Sequence, residues 1–381
     1  MSDALAPAAV LDLLRNLIAI PSVNPTLAPD EATGEAAVAA FAADWLSAHG
    51  VVARLEEAAP GRPNVYAEVG AGNGPTLCLC GHIDTVGTAG MTIPPFEPRV
   101  EGSRVYGRGS YDMKGGVAAV MAAAAQMAAE GDLPGKLVLA LVADEEYASL
   151  GAADFVRRHR ADGCILTEPS AQDLILGHKG FVWAEIITRG QAAHGSRWDL
   201  GVSAIGKMGR IITALELFDR DVLRSRIHPL VGPASMHCAL VQGGTGISTY
   251  APECKLSVER RTLPGETPAQ VAEELLGVIR AAGEEAEVNC FFDRPPLLCN
   301  REDRVVRELR AAALKATGSA PAEAGVGYWM DAALFAAAGI TAVNYGPDGA
   351  GAHEAVEWVD LHSVVAVAQV IAETARRFCR A

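Results

Sequence analysis

The spacing of hydrophobic positions changes along the chain, and those changes predict its elements. Leu5, Val10, Leu13, Leu14, Leu17 and Ile18 recur at helical intervals and predict a helix over residues 4–20. The cluster Pro21-Ser22-Val23-Asn24-Pro25 stops it. A second helix is predicted over 31–49, closed by Gly50. Short apolar runs then alternate with helical stretches. Strands are predicted over 64–69, 76–80, 136–143 and 164–167, and helices over 113–130 and 150–160. The Ala-rich run 117–129 is apolar nearly all round, which predicts burial, and it falls short of the roughly 20 residues of a membrane span. Strands alternating with helices predict an α/β fold with a mostly parallel sheet flanked by helices.

The pattern changes near Gly177-His178-Lys179-Gly180. A strand (181–188), a helix (202–218), two strands (235–241, 254–261), a helix (268–282) and a strand (287–292) follow. This β-α-β-β-α-β order predicts an inserted α+β unit of the ferredoxin-like kind. After Pro295-Pro296 the α/β pattern returns, with helices over 303–317 and 331–338, a strand over 341–345 and a last helix from Leu361. The expected division is therefore 1–178 with 295–381, and an insertion over 179–294.

Charge narrows the choice of partners. The 381 residues are 50% hydrophobic and 20% charged, with a formal net charge of −14. A surface this acidic argues against nucleic acid and anionic membrane. No basic segment followed by an apolar one opens the chain, and the eight cysteines form no CxxC pair. A cytoplasmic location with free thiols is expected.

Acidic residues and histidines recur just past predicted strand ends, where open α/β sheets bind ligands. Leu79-Cys80-Gly81-His82-Ile83-Asp84 sends His82 and Asp84 from one face of a strand, and Asp84 is placed to fix the histidine's second ring nitrogen. Asp112 stands where the glycine-rich stretch Gly107-Arg108-Gly109-Ser110-Tyr111 turns into a helix, a position equally suited to an N-cap. Asp144-Glu145-Glu146 crowds three carboxylates that repel one another unless cations are near. Glu145 and Glu146 diverge in direction, so one can ligate while the other handles protons. Glu168 follows another strand, and His353 lies in the loop after 341–345. Each alone reads as well as a solvated turn. Cys78 and Cys80 share the face of His82 and read as small buried hydrophobes.

Taken together, the stretches GHIDTVG, GRGSYDMKGG, DEE, TEPS, AHGSR, RTLPGE and AHEAVEWV resemble the family of co-catalytic zinc hydrolases. That family includes acetylornithine deacetylase, succinyl-diaminopimelate desuccinylase, aminoacylases and several carboxypeptidases. The resemblance implies two Zn²⁺ ions, with Co²⁺ or Mn²⁺ as substitutes. It implies His82 and Glu168 on one ion, Glu146 and His353 on the other, and Asp112 bridging. Asp84 would orient His82, and Glu145 would act as general base and then acid. His194 would stabilise the oxyanion in a neighbouring subunit of a homodimer, and Arg261 would grip a substrate carboxylate. The division above becomes a catalytic zinc-binding domain and an inserted lid and dimerisation domain.

Mixed histidine and carboxylate ligands suit zinc, and a glutamate beside them can carry a proton. The implied reaction is hydrolysis of an amide in an N-acyl amino acid or short peptide with a free carboxylate. Carboxypeptidase or dipeptidase action is the alternative to deacylation, and a non-catalytic metal-binding relative is a remote one. The chain departs from the family pattern at Thr249, where asparagine is usual, and at Trp198, where proline is frequent. Trp329 lies near the expected pocket.

Overall fold

The computed structural model describes residues 3–70, 72 and 74–380. Two units divide it, one of Met1–Leu176, Cys299–Ala324 and Met330–Ala381, the other of Gly177–Leu298 and Gly325–Trp329. Residues 325–329 thus group with the inserted unit, apart from the α/β stretches on either side.

In the first unit, Thr76–His82 is buried on both faces from Leu77 onward, as a central strand must be. It pairs in parallel with Lys136–Val142 on one side and Gly163–Leu166 on the other. Ala342–Asn344 extends the parallel centre by pairing with Gly163–Leu166. Antiparallel strands flank this centre, with Arg62–Val69 and then Val52–Ala59 on one side and Leu174–His178 on the other. The mostly parallel α/β centre expected from the strand–helix alternation is borne out. Val52–Ala59 is not predicted by the hydrophobic pattern; Arg54, Glu56 and Glu57 make it read as polar, which an edge strand tolerates.

The helix Gly115–Glu130 is buried from Gly115 through Ala125. It packs against Pro7–Ala19 and Leu361–Phe378. An all-round apolar sequence accounts for that burial. Its start lies two residues later than expected, at Gly115 rather than 113, and a turn over Ser110–Lys114 precedes it. The second helix likewise begins at Ala36 rather than 31, after a short 3₁₀ turn, Pro29–Glu31.

The second unit holds a four-stranded antiparallel sheet in the order Ser235–Gly243, Glu253–Thr262, Gly180–Arg189, Glu287–Arg294. Helices Ala204–Asp221 and Pro268–Ala281 supply its core with Met208, Ile211, Leu215, Val271, Leu275 and Ile279. These meet Val182, Ala184, Ile186, Leu256 and Val258 from alternate positions of the two central strands. Thr267 and Gln270 form a capping box that starts the second helix.

Candidate metal centre

The parallel strands of the first unit all leave the sheet at the same end. His82 is the last residue of its strand, Asp144-Glu145-Glu146 follows Lys136–Val142, and Glu168 follows Gly163–Leu166. Close packing of the connecting backbone fixes these exits. A Cβ at Gly116 would lie 2.2 Å from the Thr167 carbonyl oxygen, and one at Gly346 would lie 2.0 Å from that of Glu168. Only glycine allows such approach.

His82 Nε2 lies 3.1 Å from Asp112 Oδ1 and 3.8 Å from Glu168 Oε1. His353 Nε2 lies 3.3 Å from Asp112 Oδ2 and 3.0 Å from Glu146 Oε2. Asp112 therefore turns one oxygen to each histidine. Ligand atoms of His82, Asp112 and Glu146 fall within 4.8 Å of one another, as do those of His82, Glu145 and Glu168. The two adjacent glutamates thus serve different groups. Asp144, the third carboxylate of the run, faces away and accepts from Arg62 Nη2 at 2.8 Å.

Electrostatics mark this cluster as short of positive charge. Burial pushes Glu145, Glu146 and Glu168 up, helped by neighbouring carboxylates. Burial also pushes Asp112 up, but hydrogen bonds with His353 and His82 outweigh it and hold it below the usual range. Asp112 and Glu146 raise His353 to about 10. Burial disfavours charge on His82, yet Glu168, Asp112, Asp84 and Glu145 together raise its pKa well above the ordinary value. Glu146 Oε1 is buried with no hydrogen-bond partner among the described residues. Buried carboxylates around two imidazoles, with an orphaned oxygen among them, fit divalent cations better than any arrangement of protons.

Residues beyond the candidate ligands hold this cluster in place, Asp84 as expected and others that periodicity gives no reason to single out. The Asp84 carbonyl oxygen lies 3.0 Å from His82 Nδ1, nearer than its carboxylate at 3.6 Å. The carboxylate instead accepts the backbone N–H groups of Glu145 and Glu146 at 3.1 and 3.2 Å, so Asp84 fixes both the histidine and the acidic turn. Asn24 donates to Asp84 Oδ2 at 2.7 Å and to Asp144 Oδ1 at 3.0 Å. Arg62 in turn joins Asp144 to the buried Glu35.

On the other side, Glu357 accepts from Arg108 Nη1 (2.8 Å) and from the backbone N–H groups of Gly109 (2.9 Å), Tyr111 (2.9 Å) and Asp112 (3.0 Å). Arg108 also donates to the Glu354 carbonyl at 3.2 Å, tying the His353 loop to the Asp112 loop. A charged residue among glycines is the sequence signal for this brace, but Arg108 and Glu357 stand 249 residues apart. Cys78 and Cys80 are buried in their strand and belong to neither ligand group among the described residues.

His194 and Arg261 belong to the second unit. His194 is exposed, with Nδ1 2.9 Å from Ser196 Oγ, and bridges across to Thr249 by backbone pairing. Arg261 Nε donates to Glu259 Oε1 at 2.7 Å, and its guanidinium lies 5.2 Å from the Phe181 ring centre. Trp329 donates to the Pro295 carbonyl at 3.0 Å and meets Phe181 edge-on. Trp198 is 80% exposed.

Comparisons with known proteins show the family and the fold. Residues 78–377 match peptidase family M20/M25/M40. Acetylornithine deacetylase of Myxococcus xanthus is 30% identical over 338 residues, covering 85% of this chain and 86% of that protein. The fold matches a Staphylococcus aureus tripeptidase with a TM-score of 0.78 at 21% identity, over 98% of this chain and 99% of that one. It also matches a dinuclear metal-binding M20 peptidase of Bacillus subtilis, with a TM-score of 0.74 at 17% identity, over 97% of this chain and 98% of that one. The chain belongs to peptidase family M20/M25/M40 and is a metal-dependent amidohydrolase or peptidase.

Proposed function

We propose that this chain hydrolyses the amide bond of an N-acyl amino acid or short peptide that carries a free carboxylate. The observation that carries this reading is the paired cluster in which Asp112 lies between His82 and His353, with Glu146 and Glu168 beside them. These five residues would hold two zinc ions. Bound there, the ions would polarise the scissile carbonyl and favour deprotonation of the attacking water.

Glu145 takes that proton on its carboxylate and returns it to the leaving amine. Its carboxylate is buried beside Glu168 and His82, within reach of the proposed ions. Asp84 keeps His82 and the Glu145–Glu146 backbone in register throughout. Arg261 supplies the guanidinium for the substrate carboxylate. His194 stabilises the oxyanion from a neighbouring subunit of a homodimer, a role its exposed ring permits. The protein works in the cytoplasm, consistent with eight free cysteines.

Peptidase action uses the same groups, and the fold match to a tripeptidase keeps it as the second reading. A panel of N-acetyl amino acids set against dipeptides, assayed on zinc-loaded protein, separates the two. Chelator is expected to abolish all turnover and added zinc to restore it; turnover that survives chelation refutes the metal-dependent route. Mixed dimers of His194→Ala and Glu145→Gln subunits should regain partial activity. Verified heterodimers without recovery would place His194 outside the reaction.

A further inference from the structure

Glu168 leaves its strand into a turn that does not hold itself. Pro169 follows it and brings no N–H group. Ala171 and Gln172 have φ of 50° and 63°, a left-handed region that costs non-glycine residues free energy unless their surroundings enforce it. The Glu168 side chain has several rotatable bonds, and Asp112 and Glu146 in the same buried cluster repel it. Its position must therefore be set from outside the turn.

The end of the strand Ala342–Asn344 and the residues after it, which run on toward His353, supply the hold. Asn344 Nδ2 donates to the Glu168 carbonyl at 3.0 Å, and among the described residues no other donor reaches that oxygen. Gly346 packs against the same carbonyl. The Gly346 N–H donates to Ser170 Oγ at 2.8 Å, and the Gly346 carbonyl accepts the Gln172 N–H at 2.9 Å. The Pro347 carbonyl accepts the N–H groups of Ser170 and Ala171 at 3.3 and 3.1 Å.

Stability alone does not account for Asn344. It is fully buried, and its Oδ1 has no hydrogen-bond partner among the described residues. A buried orphaned acceptor costs at least as much as one hydrogen bond contributes net. An aliphatic residue of similar size would remove that orphan and create another, the Glu168 carbonyl, leaving the fold about as stable. What it would take away is the tie on Glu168.

We propose that Asn344 is a positioning residue for Glu168, holding its backbone so that the ion shared with His82 binds tightly, with Ser170 completing the clasp. This rests on the function proposed above, in which Glu168 is a metal ligand; the dependence on Asn344 is the new element.

The test compares wild type, Asn344→Leu and Glu168→Ala by zinc titration against a chromogenic chelator and by urea unfolding of the metal-free proteins. Asn344→Leu is expected to bind one ion as wild type does and the other roughly 10- to 100-fold more weakly, as loss of a group that orients a ligand allows. Its metal-free urea midpoint should match wild type, and saturating zinc should restore most turnover. Ser170→Ala, which removes the acceptor of the Gly346 N–H, takes the place of Asn344→Leu if that variant fails to fold, with the same expected loss at one ion. Two ions bound as tightly as in wild type overturn the proposal, and so does a lowered midpoint with both ions weakened alike, the mark of a merely structural residue. If Glu168→Ala also keeps both ions tight, the ligand assignment itself fails and takes the proposal with it. If Glu168→Ala loses an ion while Asn344→Leu weakens neither, Glu168 stands as a ligand and Asn344 has no part in holding it.

Discussion

Replacing Asn24 with aspartate changes one NH₂ group to an oxygen and leaves the side-chain shape intact. Asn24, Asp84 and Asp144 are all fully buried. The new oxygen would sit where Nδ2 now lies, 2.7 Å from one carboxylate oxygen and 3.0 Å from another. At those distances, with an effective dielectric near 20, each like-charge pair costs about 6 kcal/mol. Arg62 cannot offset this, because it already serves Glu35 and Asp144.

The introduced carboxyl group would therefore take up a proton, so its folded pKa lies well above its unfolded one. Between those two values the folded state binds more protons than the unfolded state, and stability falls as pH rises. At pH 5 the protonated variant has one O–H for two acceptors, a loss of about 1–3 kcal/mol. By pH 8 the penalty should grow by a further 2–4 kcal/mol, at about 1.4 kcal/mol per pH unit. Urea unfolding of wild type and Asn24→Asp, both metal-free, at pH 5 and pH 8 measures the difference directly. A penalty that stays constant across that range, or shrinks, would refute the reasoning that Asn24 separates two buried carboxylates.

Three further outcomes follow from the same contacts. Lys114 is buried, donates to the Leu17 and Ile20 carbonyls at the end of the first helix, and is lowered by burial to about 7. Its folded pKa lies below its unfolded one, so between pH 7 and 9.5 wild type should gain about 3 kcal/mol relative to Lys114→Met, with urea unfolding as the assay and a flat difference as the contrary result. Glu357→Gln would turn an NH₂ group toward two of four donors, one pair of which includes the Asp112 N–H; metal affinity should fall roughly 10- to 100-fold in chelator competition, and unchanged affinity would contradict the brace. Gly116→Ala pushes a methyl against the Thr167 carbonyl and should cost about 1–3 kcal/mol in thermal or urea unfolding, whereas a neutral effect would show that the helix start can shift.

The sheet centre is readable in the sequence because Leu77–Cys80 and Leu137–Val142 are apolar runs bounded by turn residues. The acidic and histidine residues are visible because they follow those runs directly. The residues that support them are hidden for a physical reason: Asn24, Arg62, Arg108 and Glu357 find partners as far as 60 to 249 positions away, and no local period encodes such a bond. The small sheet of Gly349–Ala350, Trp358–Asp360, Arg104–Tyr106 and Arg99–Glu101 escapes the hydrophobic pattern as well. Its strands are two or three residues long, too short for alternation to register. Trp329, expected near a pocket, is set by its hydrogen bond to Pro295 in the aromatic cluster of the inserted unit.

The central claim is that Glu145 moves protons while its neighbour Glu146 and the histidines hold metal. Glu145→Gln tests it most directly, with metal content measured by mass spectrometry alongside turnover of the best N-acyl amino acid. The account predicts two metal ions per chain, as in wild type, and turnover reduced by roughly 10²- to 10⁴-fold. Turnover within a few-fold of wild type, with both metals present, would contradict it.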